Sequence, residues 1–323
     1  MRKAILASVI LGTMFSVAQA ADVKLGGDFA YRNDSLEVGP ADSTRDRFRA
    51  ILKAEAKVDE KAKVVFGLRT GTVKSSWNDM GGGNSLKDVD LNLAYVEYAA
   101  APFAKVTLGK QNRPWASNAL LFDNDIAPEG LAVALKHDSG LSANVFKLKL
   151  AEGGVAKDSD LAGLQLSYKK NVLGFDVGTS AAMLNQEVVL PTRTEKFDQL
   201  LLGVSAKKEV AGIPVTLFVE QLTNDEAKTL DKATAYGVTF GNAKKAGDWE
   251  VSVLKQKAEA NALSAVWTDS DFGGEALIHD GTAIRAAYAL TDGWKVRGSL
   301  YDVEVGARPV DYKRLMVDLV FAF

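Results

Sequence analysis

Side chains that could perform covalent chemistry are scarce in this chain of 323 residues. It contains two histidines and no cysteine, which excludes disulfides, thiolate metal sites and thiol nucleophiles. His137 follows a strand at a short turn and His279 ends a long connection, so we predict them at opposite ends of the strands. No nucleophile-elbow, zinc-protease, Walker or dinucleotide-binding pattern occurs. Because hydrolysis needs a general base near a nucleophile or water, we expect no enzyme and no cofactor.

Cation binding has one candidate in the sequence. The segment Asp269-Ser270-Asp271-Phe272-Gly273-Gly274 is similar to the start of a calcium loop, with Asp269 and Asp271 as weak candidate ligands. The twelfth position is Asp280 rather than glutamate, and no flanking helices are expected. The pattern therefore favours a plain acidic external loop, and we expect no metal.

Two groups of charged side chains could instead act on solutes electrostatically. Asp123, Asp125 and Glu129 end a long polar connection, Asn112–Glu129, whose centre at Ala119–Phe122 is apolar and should pack on something. The polar faces of the first three predicted strands carry four arginines: Arg32, Arg47, Arg49 and Arg69. Like charges on neighbouring strands repel, so this grouping predicts an opposing negative surface. The alternative is that each arginine pairs with a local acid.

The elements that would position these charges are β-strands. In the last eleven residues the apolar side chains occupy every second position: Leu315, Val317, Leu319, Phe321 and Phe323. Strict period two indicates a strand with one apolar face, and the same alternation recurs along the chain. Helical spacing would place charges in the apolar stripe. The chain is therefore predicted to be all-β.

Connection lengths predict how the strands are arranged. Seven short turns alternate with eight longer polar segments: Asn33–Thr44, Val73–Lys87, Asn112–Glu129, Ala151–Asp160, Asn185–Lys196, Thr223–Asp231, Lys257–Asp280 and Gly306–Tyr312. Fifteen connections imply sixteen strands. An even strand number, with short turns on the periplasmic side and long external loops, is typical of transmembrane barrels. A sixteen-stranded antiparallel barrel is wide enough to leave an aqueous channel, with apolar faces toward lipid and polar faces toward water.

The start of the chain predicts export. Arg2 and Lys3 precede an apolar stretch, Ala4–Gly12, and Ala18-Gln19-Ala20 fits a cleavage site. We expect residues 1–20 to be a removed signal peptide and residues 21–323 to be a single barrel domain. No later apolar run approaches the roughly 18 residues that a helical span needs. The 39 basic and 41 acidic residues exclude a polybasic nucleic-acid binder.

Three patches resemble bacterial outer-membrane porins. They are Asp22–Gly27, Val106–Pro114 and the terminal Phe323. The third loop lacks the Pro-Glu-Phe-Gly-Gly segment of the best-known general porins, so the chain resembles a more distant branch. The resemblance implies a homotrimer whose third loop folds into the pore, and barrel assembly directed by the strand ending in Phe323. Outer-membrane lipids and lipopolysaccharide would surround it.

With an inward third loop, the charged groups predict a constriction. The acidic loop residues would face the basic wall across the pore and create a transverse field, a recognised way to set selectivity. Further positive charge in the lumen is expected from Arg113, Arg285, Arg297 and Arg314, which favours anions, although the overall charge of −2 opposes this. We expect passive diffusion of small hydrophilic solutes and ions. The alternatives are a substrate-selective channel, a receptor or adhesin binding through its external loops, and a soluble exported β-sandwich.

Overall fold

A computed structural model describes residues 22–72, 75–81, 83, 86–121, 125–151, 158–190, 192–264, 268–274 and 276–323. These residues form one antiparallel sheet that closes on itself, because the first and last strands pair from Asp28 with Ala322 to Val38 with Tyr312. The predicted sixteen-stranded barrel is confirmed. Closure gives each of the sixteen strands a pairing neighbour on both sides, as a sheet immersed in lipid requires.

Each barrel strand pairs with the next strand in the chain. The strands are β1 (Asp22–Val38), β2 (Ala41–Lys57), β3 (Ala62–Thr70), β4 (Val89–Ala101), β5 (Ala104–Lys110), β6 (Glu129–Lys136), β7 (Leu141–Ala151), β8 (Ser159–Val172), β9 (Phe175–Val189), β10 (Thr194–Val210), β11 (Ile213–Asn224), β12 (Lys232–Gly241), β13 (Trp249–Ala258), β14 (His279–Ala289), β15 (Trp294–Val305) and β16 (Val310–Ala322). A two-residue strand, Asn78–Asp79, pairs with β2 at Arg47 and Phe48.

The outer face of the barrel is apolar. In β16, Leu315 and Val317 are 49% and 45% exposed, whereas the alternating Met316 and Asp318 are buried. The period-two pattern of the sequence therefore separates an outer apolar surface from the interior, as predicted. Among the described residues, no helix is long and apolar enough to cross a membrane.

Three of the predicted long loops are shorter in the structure. β1 continues to Val38 and β2 begins at Ala41, so the predicted loop Asn33–Thr44 is a tight hairpin at Gly39, whose φ is +54°. The segment Asn185–Lys196 also belongs largely to strands, and the last three residues of Gly306–Tyr312 belong to β16. Polar residues at the ends of these strands continue the backbone pairing where both faces can be solvated, so their polarity alone did not mark a loop.

The interior of the barrel has two different sides. Lumen-facing positions of β7–β11 carry buried leucines: Leu148, Leu161, Leu184, Leu201 and Leu222. The prediction that lumen faces are polar is therefore wrong on this side, which we call the apolar wall. Apolar area left in water costs about 25 cal/mol per Å². Two loops, L3 (residues 111–128) and L7 (residues 259–278), contribute to this wall's cover. Their described parts, residues 111–121, 125–128, 259–264, 268–274 and 276–278, include side chains that pack on the wall.

The lumen near the short turns is polar and accessible to solvent. Glu55 on β2 pairs with Lys53 at 2.5 Å, and Glu97 on β4 pairs with Lys63 at 3.4 Å and Lys105 at 2.9 Å. Side-chain exposures in this chain of ion pairs range from 22% to 47%. Exposed charge on the lumen faces of neighbouring strands indicates that water enters the barrel from the short-turn end.

Candidate constriction site

Arginines line the side of the lumen opposite the apolar wall. We call this set the basic wall; its members lie on β1, β2, β3, β14, β15 and β16: Arg32, Arg45, Arg47, Arg49, Arg69, Arg285, Arg297 and Arg314. Strand alternation places them inside, because their neighbours on the same strands, such as Phe48 and Leu315, are on the outer face. Closure between β1 and β16 brings the two ends of the chain into one wall.

Two bidentate ion pairs cross the seam between the first and last strands. Arg32 Nε and Nη2 donate to the two oxygens of Asp318 at 2.7 and 3.0 Å. Arg314 Nε and Nη2 donate to the two oxygens of Asp34 at 2.8 and 2.9 Å. Paired donors of this kind match the carboxylate geometry and are strong, specific contacts. The same side chains therefore close the barrel and line the lumen.

Local acids neutralise much of the basic wall. Asp34 also accepts from Arg45 at 3.1 Å and Arg47 at 3.3 Å, while Arg49 pairs with Asp28 at 2.7 Å. The alternative of local pairing therefore describes a large part of this cluster. The remaining field at the wall comes from the excess of guanidinium groups over these carboxylates.

Arg285 and Arg297 extend the wall along β14 and β15. Arg297 Nη2 donates to Asp318 at 2.9 Å. Arg297 and Arg32 therefore share this carboxylate. The guanidinium carbon of Arg285 lies 5.5 Å from the ring centroid of Tyr301. Both side chains therefore belong to the basic wall.

The basic wall contains an aromatic residue that sequence reasoning missed. Trp77, from the second loop L2 (residues 71–88), is 8% exposed. Its ring centroid lies 4.0 Å from the guanidinium carbon of Arg32 and 5.1 Å from that of Arg49. Contacts of this kind attract the cations to the ring face. A lone tryptophan in a polar, glycine-rich loop was the available signal, because such a residue rarely stays in water.

L3 folds into the lumen and is bound to the apolar wall by hydrogen bonds. Its residue Ala116 exchanges two hydrogen bonds of 2.8 Å with the side chain of Gln165 on β8. Glu220 on β11 then accepts four hydrogen bonds from L3. The donors are Ser117 Oγ (3.1 Å), Asn118 N (2.5 Å), Asn118 Nδ2 (2.9 Å) and Ala119 N (3.0 Å).

The middle of L3 packs on the apolar wall. Leu120 and Leu121 are 2% and 4% exposed and belong to the cluster formed by the wall leucines. Arg113 Nη1 donates to the carbonyl of Leu121, so this arginine braces the loop internally. The predicted inward third loop, with its apolar centre packed on something, is therefore present.

The three predicted acidic residues have three different outcomes. Asp125 lies 3.6 Å from Arg69 Nη1 and accepts from Ser76 Oγ at 3.0 Å, so it brings a carboxylate to the basic wall. Glu129 is the first residue of β6 and pairs with Lys110 at 3.0 Å on the outer face. The prediction that Glu129 faces the pore is wrong. Side chains alternate along β6, and Glu129 lies two residues before the exposed Leu131, so both are on the outer face. Asp123 lies outside the described residues.

The calcium-like segment forms an ion pair with the basic wall. Asp271 Oδ1 accepts from Arg314 Nη1 at 2.9 Å, and Asp269 Oδ1 accepts from the Asp271 amide at 3.0 Å. Within the described residues, no group of three or more histidine or acidic side chains could hold a metal. The interpretation of this segment as an external loop is wrong, because its buried Phe272 packs inside the barrel.

Comparison with known proteins found one matching family model and several solved barrels of similar fold. A family described as "Putative porin" matches residues 22–155, and no curated protein sequence matches. Among solved structures, Pseudomonas putida OprB at high pH has a TM-score of 0.70 at 11% identity, covering 97% of this chain and 96% of its own. Salmonella typhi OmpF in complex with daunomycin has a TM-score of 0.62 at 14% identity, covering 95% and 99%.

A third solved structure, a triple mutant of the Rhodopseudomonas blastica porin, has a TM-score of 0.57 at 12% identity, covering 94% of this chain and 100% of its own. The closed sixteen-stranded sheet with an inward loop is thus the fold of a porin-type barrel. The family match covers the first part of the barrel, residues 22–155, and the solved structures, at 11–14% identity, share its fold.

Proposed function

We propose that this protein is an outer-membrane porin through which small hydrophilic solutes and ions diffuse passively. The observation that carries the proposal is the opposite polarity of the two surfaces: an apolar exterior and an interior with charged, partly exposed ion pairs. An apolar exterior on a closed sheet of paired strands suits lipid. A charged interior suits water.

The proposal includes cellular partners. Residues 1–20 act as the export signal, and residues 21–323 form the barrel in the bacterial outer membrane, among its lipids and lipopolysaccharide. The protein assembles as a homotrimer. The C-terminal strand is read by the barrel-assembly machinery. Phe323, whose amide and carbonyl pair with Gly27 at 3.1 Å each, is part of that signal.

Liposome swelling tests the transport proposal. Vesicles containing the purified protein should swell in isosmotic sugar solutions at rates that fall with sugar size, because a water-filled pore admits solutes by size. Vesicles with heat-denatured protein are the control. Equal, background swelling in both samples would contradict diffusion through the barrel.

The charge of the basic wall predicts ion selectivity. We propose that the basic wall, with Asp125 of L3 paired to its Arg69, lines the narrowest part of the pore. The excess of positive charge there favours anions. In water, one unit charge about 7 Å from a passing ion contributes roughly 0.6 kcal/mol, which corresponds to about a three-fold change in partition before screening.

Replacing Arg49 and Arg297 with glutamine should therefore lower the anion-to-cation permeability ratio by about two- to three-fold per site. Arg49 and Arg297 each make one acidic contact, at 2.7 and 2.9 Å. Reversal potentials in a salt gradient measure the ratio. Lys228→Gln, which removes an exposed positive charge outside the described strands, is the matched control. If the arginine variants gave the same reversal potential as Lys228→Gln, these arginines would not lie along the path of the ions.

A substrate-selective channel is the second candidate. The observation that favours it is the course of L3 and L7, both of which fold into the lumen and fill its apolar side. A receptor or adhesin is less favoured for the same reason, because these two long loops do not project as an external binding surface. Saturable swelling rates with one sugar, and not with others of equal size, would indicate the selective channel.

A further inference from the structure

L7 is buried inside the barrel as deeply as L3. Three of its apolar residues, Ala262, Leu263 and Phe272, are at most 2% exposed. Phe272 makes edge contacts with Tyr301 on β15 and His279 on β14, at centroid distances of 6.1 and 5.4 Å. A loop at the outer surface would leave these side chains in water, whereas here they complete the apolar cluster of the lumen.

Wall amides hold the backbone of L7 in place. Gln199 Nε2 on β10 donates to the Ala262 carbonyl at 2.7 Å, and Asn224 Nδ2 on β11 donates to the Asn261 carbonyl at 2.7 Å. At the other end of the loop, His279 Nδ1 donates to the Ala276 carbonyl at 2.8 Å. Buried carbonyl groups must be paired, and these inward side chains supply the donors.

L7 and L3 support each other. Leu120 and Leu121 of L3 and Leu263 of L7 line one small cavity together with Gln186 and Gln199. Gln186 Nε2 in turn donates to Gln199 Oε1, and Gln199 holds Ala262. The two loops therefore form one packed layer over the apolar wall.

The far end of L7 reaches the basic wall. Arg314 Nη1 donates to Asp271 at 2.9 Å and to the Ser270 carbonyl at 3.4 Å. The second oxygen of Asp271 lies 3.9 Å from Arg32 Nη1. L7 thus extends from the apolar wall to the seam and adds a carboxylate to the most basic part of the lumen.

From these contacts we propose that L7 is a second constriction loop. Together with L3 it sets the size limit of the pore, and Asp271 reduces the positive field of Arg314 and Arg32. This inference rests on the proposed channel function. It assigns specificity to a loop that the sequence predicted to be external.

Cysteine modification tests the position of L7, since the chain has no native cysteine. In a Ser270→Cys variant, a negatively charged methanethiosulfonate reagent should lower the single-channel current stepwise. Modification of a Thr192→Cys variant, at an exposed position of the fifth loop, should leave the current unchanged. Reaction at Ser270→Cys, verified by mass, without a change in current would overturn the proposal.

Undocking the loop gives a second, independent test. The double variant Gln199→Ala, Asn224→Ala removes two wall donors and should raise the size limit in liposome swelling, with Asp225→Ala in the sixth loop as control. An unchanged size limit in a folded double variant would contradict a constricting role. If the wild-type protein conducts and these variants have no effect, only this inference is refuted. If the wild-type protein carries no current, the channel function itself is refuted.

Discussion

Replacing Glu220 with alanine should give a channel with a larger and noisier conductance than the wild type. Glu220 is 2% exposed and accepts four hydrogen bonds from three consecutive residues of L3. Hydrogen bonds to a charged group contribute about 1.5–3 kcal/mol each. The alanine variant also leaves the amides of Asn118 and Ala119 without this acceptor, so the docked position of L3 loses its main polar anchor.

Two further variants separate the loss of L3 docking from the loss of a negative charge in the lumen. Glu220→Gln keeps the shape but offers only one acceptor oxygen to donors that need two, so we expect an intermediate conductance. Glu250→Ala removes a carboxylate from the lumen face of β13 near the short turns, where it shares a face with buried Leu254, and should not change the noise of the current. Single-channel recordings distinguish them. A Glu220→Ala channel as quiet and as narrow as the wild type would show that L3 is held by other contacts.

Replacing Asp34 with alanine should lower the stability of the closed barrel. Asp34 is completely buried and faces three arginines, with the bidentate partner Arg314 on the last strand. Removing one member of a buried ion pair costs about 3–5 kcal/mol, because the other charge is left uncompensated. The lost ion pair with Arg314 lies between β1 and β16, where the sheet closes.

Heat modifiability in detergent measures this effect. The Asp34→Ala barrel should unfold at a clearly lower temperature on gel electrophoresis than the wild type. Asp42→Ala is the matched control, since Asp42 is an exposed residue of β2 and surface substitutions usually change stability by less than about 0.5 kcal/mol. Equal unfolding temperatures for Asp34→Ala and the wild type would show that the seam does not depend on this carboxylate.

The barrel itself was largely predictable from the sequence, because short stretches of residues determine each strand and each turn. The alternation of apolar and polar residues in segments such as Leu315–Phe323 determines which side chains face outward. The alternation of short turns and long connections predicted sixteen strands, which the structure confirms. Loop boundaries were less predictable. Polar strand ends such as Asn33–Val38 pair as strands, although their composition resembles that of a loop.

The filled half of the lumen was not predicted, although a signal for it was present. The run Leu200-Leu201-Leu202 in β10 is apolar on both faces, with Leu202 exposed outside and Leu201 buried inside. A strand with two apolar faces needs cover on the lumen side, which L3 and L7 provide. Which loops would fold inward depends on contacts between distant segments, such as Gln199 with Ala262, and these leave no local pattern.

The inward alternation of the arginines could be read from the sequence, but their pairings and the position of Glu129 could not. Parity placed the arginines inside the barrel, yet the partners Asp34 and Arg314 are separated by 280 residues and meet only through closure. Glu129 was misplaced because the strand β6 begins at that residue, and its side chain therefore follows the outward alternation of the strand. Trp77 gave no pattern that pointed to the arginines it contacts.

Single-channel recording of the purified wild-type protein in planar lipid bilayers tests the central claim most directly. The protein should insert as discrete steps of a stable, ohmic conductance that increases with the salt concentration, as a water-filled lumen requires. A folded, heat-modifiable sample that inserts into the bilayer without carrying any current would contradict a channel through this barrel.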